Sequence, residues 1–174
     1  MTLSVLVNGE PATDLTHALP LNDRGFHYGD GVFETARLEQ GFVRFLDAHL
    51  ERLRIGCERL RIAPPDAAVL KQDIERVTAT LRSAVVKIVV TRGVGQRGYR
   101  PSAESVATRV VASYAAPEVD PNRSLNVRWC ATRLGRNGAL AGIKHLNRLE
   151  QVLAQAEWDD PTIDEGLMLD TEGE

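Results

Sequence analysis

Gly135-Arg-Asn-Gly-Ala-Leu-Ala-Gly-Ile-Lys144-His-Leu-Asn-Arg-Leu-Glu150 decides how the rest of the chain is read. Lys144 is one of three lysines in a sequence that takes most of its 21 positive charges from arginine. The approach to it, Leu140-Ala-Gly-Ile143, is small and apolar and is expected to be buried. A helix is expected just after it, with Leu146, Leu149, Val152, Leu153 and Ala156 on one face. A lysine so placed, with no obvious carboxylate partner, has its ammonium destabilised by desolvation. Its pKa should then fall, which suits an amine to act as nucleophile or base near neutrality. The other reading is a lysine that snorkels from a strand end into water, and periodicity alone leans that way.

A chain of 174 residues suits one good-sized domain or two small ones. At 43% hydrophobic it buries a real core, and at 26% charged it has the make-up of an ordinary soluble protein. A net charge of -3 gives no general reason to expect nucleic acid or an acidic membrane as partner. The sequence shows no basic, apolar leader and no apolar run of bilayer length, so a cytoplasmic protein is expected. Cys57 and Cys130 lie far apart without metal-like spacing and are read as reduced thiols, and no metal site is expected.

Leu3–Val7 is expected as a strand, with Asn8-Gly9 as a hairpin turn, and residues 14–22 as loop. Asp23 to Thr35 is a glycine-punctuated turn running into a strand. Phe33–Leu38 and Phe42–Phe45 form a hairpin around Gln40-Gly41, after which Asp47 caps a helix. Leu46, Leu50, Leu53, Cys57 and Leu60 make the apolar stripe of that helix. His49 and Arg52 share a face beside the stripe, and both suit a solvated flank. Pro64-Pro65 breaks the chain, and Asp66 opens a second amphipathic helix to about Arg82. Ala84–Thr91 is expected as a buried strand from its near-continuous β-branched content, with Lys87 on the more polar side.

Gly93, Gly95 and Gly98 spell G-x-G-x-x-G, the pattern of a dinucleotide site. That reading requires the run to open a helix whose N-terminus receives a pyrophosphate. Here Pro101 and Ser102 follow, then a strand from Val106 to Tyr114, so the run joins two strands and the dinucleotide reading is excluded. Pro117–Arg123 is expected as a linker between an N-terminal α/β domain over 1–116 and a second domain from 124. Leu125–Ala131 is expected as a strand, the lysine segment's helix runs to about Trp158, and Glu165–Asp170 is the next strand.

Gly142-Ile-Lys-His-Leu-Asn-Arg-Leu-Glu-Gln-Val-Leu153, preceded by Leu134-Gly-Arg-Asn137, closely resembles the lysine segment of the aminodeoxychorismate lyases. These belong to the fold-type IV family of pyridoxal-phosphate (PLP) enzymes, with the branched-chain and D-amino-acid aminotransferases. Asp23-Arg-Gly-Phe-His-Tyr-Gly-Asp-Gly-Val-Phe-Glu-Thr35 resembles the family's first signature. Arg92-Gly-Val-Gly-Gln-Arg-Gly-Tyr99 resembles the lyases' glycine-rich loop, with Gln96 in place of one glycine. The resemblance implies a fold-type IV architecture, α+β in class, with a small N-terminal α/β domain and the beginning of a larger PLP-binding domain. It implies PLP as cofactor, carried by Lys144, and conversion of 4-amino-4-deoxychorismate to 4-aminobenzoate and pyruvate, a step toward folate. His49-Leu-Glu-Arg-Leu53 resembles the segment whose arginine meets the PLP phosphate, which assigns that part to Arg52. By the same resemblance Arg97 and Tyr99 bind a substrate carboxylate from the neighbouring subunit of a homodimer, and Phe33, Thr35 and Tyr28 line the substrate side.

Fold-type IV chains continue well beyond the length of this one, and the acid that pairs with the pyridine nitrogen, like most phosphate ligands, falls past Glu174. A fragment of a longer chain, or completion by a second polypeptide, is expected over a freestanding enzyme of 174 residues. An aminotransferase on the same scaffold, which Tyr28 allows, and a non-catalytic assembly piece are the alternatives.

Overall fold

The computed structural model describes all residues except Val119 and Pro121. Those two lie in the expected linker, so that part of the expectation falls outside the described residues. The chain divides into two compact units, one of Met1–Pro117 with Ile143–Leu146, the other of Glu118–Gly142 with Asn147–Glu174. Lys144 and its immediate neighbours thus belong with the first unit, and the rest of the lysine segment with the second.

The first unit is built on a six-stranded antiparallel sheet. Its strands are β1 (Thr2–Val7), β2 (Glu10–Pro11), β3 (Gly31–Glu39), β4 (Phe42–Val43), β5 (Ser83–Thr91) and β6 (Thr108–Tyr114), in spatial order β2-β1-β6-β5-β3-β4. Two expected turns form where left-handed backbone is needed. Asn8 and Gly9 take φ of 52° and 89°, and Gln40 and Gly41 take 53° and 86°. Both pairs have the geometry that joins twisted strands in two residues.

Helices α2 (Leu46–Arg59) and α3 (Ala67–Thr78) cover one face of the sheet. Leu50, Leu53 and Cys57 of the expected stripe join Leu70, Ile74 and Val77 of α3 against Val32, Leu38, Val86, Ile88, Val90 and Val111. Full burial of each large side chain contributes about 1.5–3 kcal/mol. Asp66 caps α3 as expected, accepting from the Ala68 amide at 2.6 Å, although the helix stops at Thr78 instead of Arg82. Asp47 does not cap α2. It lies inside the first turn and pairs with Lys71, while Phe45 at φ 53° holds the cap position.

Strand β5 corrects an expectation. Ala84, Val86, Ile88 and Val90 are buried, but Lys87 is exposed and Val85 and Val89 are half-buried. The strand is central in an antiparallel sheet whose second face carries no helix of this unit. β-Branched content therefore signalled a strand correctly and overstated its burial.

The second unit holds a parallel pair, β7 (Val127–Trp129) with β8 (Glu165–Leu167), and the short helix α4 (Leu149–Gln155). Glu157 fastens the turn after β7, accepting both the Ala131 and Thr132 amides at 2.7 Å. Those hydrogen bonds pull its carboxyl down to about 2. Helix α4 is shorter than expected, and its supposed core stripe is open: Leu149, Val152 and Leu153 are all exposed, and Ala154 is buried instead. The approach to Lys144 is likewise less buried than its composition implied. Ile143 is buried, Leu140 half-buried, and Ala141 and Gly142 are exposed.

Candidate active site

Lys144 is placed by backbone pairing along the edge of β3. The Phe33 amide donates to the Lys144 carbonyl at 2.9 Å, and the Leu146 amide donates to the Gly31 carbonyl at 3.0 Å. Val32 and His145 form the bridge between these two bonds. Gly31 makes the approach possible. A Cβ there would collide with the Val90 carbonyl and lie 2.8 Å from Leu146 Cδ1. The half-buried Lys144 extends its Nζ over the Phe33 ring, 4.9 Å from the centroid. An ammonium over an aromatic face is attracted by the ring quadrupole.

Alternation along β3 sends Phe33 and Thr35 to the face that the helices leave open, and the structure adds a second amine there. Lys87 pairs across from Thr35 in β5 and places its Nζ 5.4 Å from the Phe33 centroid. Phe33 is thus flanked by two amines. The signal for Lys87 was visible in the sequence as a lysine inside a β-branched run.

Glu34 points the other way, under α2, and is fully buried. Arg52 donates Nε and Nη2 to its two oxygens at 2.5 and 2.7 Å, and His49 Nδ1 lies 2.8 Å from Oε2. Burial alone would push the Glu34 carboxyl up, but hydrogen bonds and charge from Arg52 and His49 outweigh it and hold the group below its ordinary range. The solvated flank expected for His49 is therefore replaced by a partner to a buried carboxylate. No spacing rule links Glu34 to residues 15 and 18 positions away, so this trio was not legible in the sequence. Arg52 remains half-exposed, and its Nη1 is not used by Glu34. Gly56, one turn further along the same helix face, packs against Val32 and close to Ile143.

The first signature forms a one-turn helix, α1 (Arg24–Tyr28), where the sequence suggested a turn. Asp23 caps it through the Gly25 amide at 2.8 Å and accepts the Thr91 hydroxyl at 2.9 Å. Gly29 closes it in the left-handed region at φ 62°. Beyond β5, the 92–107 segment joins two strands as expected. At its tip Arg97 and Tyr99 are exposed, and the Tyr99 ring stands 5.6 Å from that of Tyr28. Tyr28 uses its hydroxyl to accept the Gly98 amide at 2.9 Å.

Lys144, Phe33, Thr35 and Lys87 are brought together on the face of the sheet that the helices leave open. Arg52 reaches the same strand from its helix-covered side, and Tyr28, Arg97 and Tyr99 gather at the glycine loop. A primary amine set on an aromatic face, with an arginine fork on the adjoining strand residue, is a donor set that fits an aldehyde and a phosphate, the two polar ends of PLP. Among the described residues, no group of three or more His, Cys, Asp or Glu side chains is placed to hold a metal ion. No helix among the described residues is long and apolar enough to cross a membrane.

The Amino-transferase class IV family profile matches residues 31–174, and the chain belongs to that family. Within it, the chain is 36% identical over 169 residues to an aminodeoxychorismate lyase of Vibrio harveyi, covering 95% of this chain and 61% of the relative. The crystal structure of 4-amino-4-deoxychorismate lyase from Pseudomonas aeruginosa superposes with a TM-score of 0.86 at 45% identity, over 97% of this chain and 62% of that one. A branched-chain amino acid aminotransferase from Escherichia coli gives a TM-score of 0.85 at 20% identity, over 99% of this chain and 60% of the other, a likeness of fold. The chain spans about three fifths of the length of these relatives.

Proposed function

We propose that the protein is a PLP-dependent lyase that releases pyruvate from 4-amino-4-deoxychorismate and leaves 4-aminobenzoate. The observation that carries this reading is Lys144 Nζ, held over Phe33 at a fixed strand edge, in a chain whose relatives at 36% and 45% identity are both lyases of that substrate. When bound, PLP supplies an electron sink for charge that develops beside the substrate nitrogen.

Lys144 would hold the cofactor's aldehyde end, and Nη1 of the half-exposed Arg52, which Glu34 leaves unused, would meet its phosphate. Lys144 Nζ would take the proton from the ring carbon that bears the substrate's amino group. Loss of enolpyruvate then makes the ring aromatic, and the same Nζ returns a proton to the leaving group. Lys87, Arg97 and Tyr99 orient the two substrate carboxylates, and Phe33, Thr35 and Tyr28 shape the surface that faces the ring. The exposed placement of Arg97 and Tyr99 at a loop tip supports their use in the site of a second subunit, and so a homodimer. The two buried, unpaired cysteines agree with a cytoplasmic setting.

The test is pyruvate release from 4-amino-4-deoxychorismate with no keto acid present. Stoichiometric pyruvate and 4-aminobenzoate are expected. Turnover that depends on an added keto acid would instead identify an aminotransferase on this scaffold.

A further inference from the structure

Arg24, in the first signature, has no part in the chemistry above, yet it is 3% exposed and each of its three nitrogens has a partner. A guanidinium keeps its charge at any physiological pH, and burying it is costly unless it is paired and hydrogen-bonded. Its Nε donates to Asp30 at 2.9 Å, Nη1 to the Gly98 carbonyl at 2.8 Å and Nη2 to the Tyr99 carbonyl at 2.9 Å. Its Cζ lies 4.7 Å from the centroid of the Tyr28 ring, which Tyr99 also approaches. Asp30 accepts Arg92 as well, at 2.7 and 3.0 Å, and Arg92 donates onward to the Leu60 and Arg61 carbonyls at the end of α2. Residues 96–100 are exposed and pair with no strand. A buried fork therefore reaches out to an open loop and grips two successive carbonyls of it.

We propose that Arg24 is a positioning residue for the substrate: its grip on the Gly98 and Tyr99 carbonyls fixes the loop that presents the Arg97 and Tyr99 side chains to the substrate carboxylates. This rests on the reading of Arg97 and Tyr99 given above. Ion pairing alone does not account for the arrangement, since Asp30 is already matched by Arg92. Two carbonyls on one planar fork set both the position and the tilt of the loop backbone, which a point charge such as lysine does not do.

The test uses the purified protein loaded with PLP and the variant Arg24→Lys, which keeps the charge and loses the fork. Gly95→Ala disturbs the grip from the other side, because its new Cβ would lie 2.7 Å from Arg24 Cδ. In both variants the peptide spanning residues 95–100 should exchange its amide hydrogens faster while β3 and β5 keep their protection. KM for aminodeoxychorismate should rise and kcat/KM fall by about 100-fold, the scale of loss from small misplacement, with PLP occupancy unchanged. Unchanged exchange in the loop overturns the inference, as does faster exchange with an unaltered KM. Arg97→Ala, measured alongside, separates the two claims. If it raises KM while the Arg24 variants do not, the loop reading stands and the Arg24 inference fails. If it leaves both KM and kcat unaltered, the loop reading itself fails and takes the inference with it.

Discussion

Arg52 grips both oxygens of Glu34, at 2.5 and 2.7 Å, across the boundary between α2 and the buried face of β3. This pair fixes the helix to the strand that carries Phe33, and it leaves Nη1 of Arg52 for the phosphate role proposed above.

Replacing Glu34 with Gln keeps the shape and removes the charge. It should cost about 1–3 kcal/mol of stability, the range for losing charge-assisted hydrogen bonds with a buried partner. The pH dependence has a definite sign. The Glu34 carboxyl lies below its ordinary 4.5 in the folded protein, so its contribution is fully present above that pH. It is lost as pH falls from about 4.5 through the lowered folded value. Thermal melts between pH 3 and 7 should therefore show a shallower acid limb for Glu34→Gln than for the parent. Parallel acid limbs would show that the pair contributes nothing.

Gly31→Ala tests the strand edge that seats Lys144. The added methyl meets the Val90 carbonyl and the Thr91 backbone, which cannot turn aside as a side chain can, and Leu146 Cδ1 as well. Overpacking of this kind costs about 1–3 kcal/mol, so a lower Tm is expected, with Lys144 displaced from Phe33. An unaltered Tm and full PLP occupancy would mean that the 143–146 segment is not fixed by this contact.

Arg97→Ala and Lys87→Met probe the substrate side. Both residues are exposed, so stability should stay within about 0.5 kcal/mol of the parent. Each should raise KM for aminodeoxychorismate or lower kcat while the cofactor absorbance is retained. Loss of the bound cofactor in either variant would move that residue from the substrate to PLP.

The legible parts of this fold were the local ones. The turns at Asn8-Gly9 and Gln40-Gly41, the α2 stripe and the Asp66 cap each depend on residues a few positions apart, where backbone sterics and helical period speak directly. What the sequence hid was long-range. Glu34 needed His49 and Arg52 from a helix later in the chain, and Arg24 needed carbonyls more than 70 residues away. The stripe after Lys144 misled for another reason. Leu149, Val152 and Leu153 have helical spacing but are exposed in the second unit, and periodicity records which residues share a face, not what that face meets. Lys144 itself stood out because it follows a small apolar run in an arginine-rich chain, and its pairing with β3 supplied what spacing could not.

The most direct measurement is intact mass spectrometry of the purified protein after incubation with PLP and borohydride, followed by peptide mapping. The account predicts one pyridoxyl group per chain, on the peptide that contains Lys144, and none in Lys144→Ala. A chain that takes up no pyridoxyl group, or one fixed at Lys71 or Lys87 instead, would contradict it.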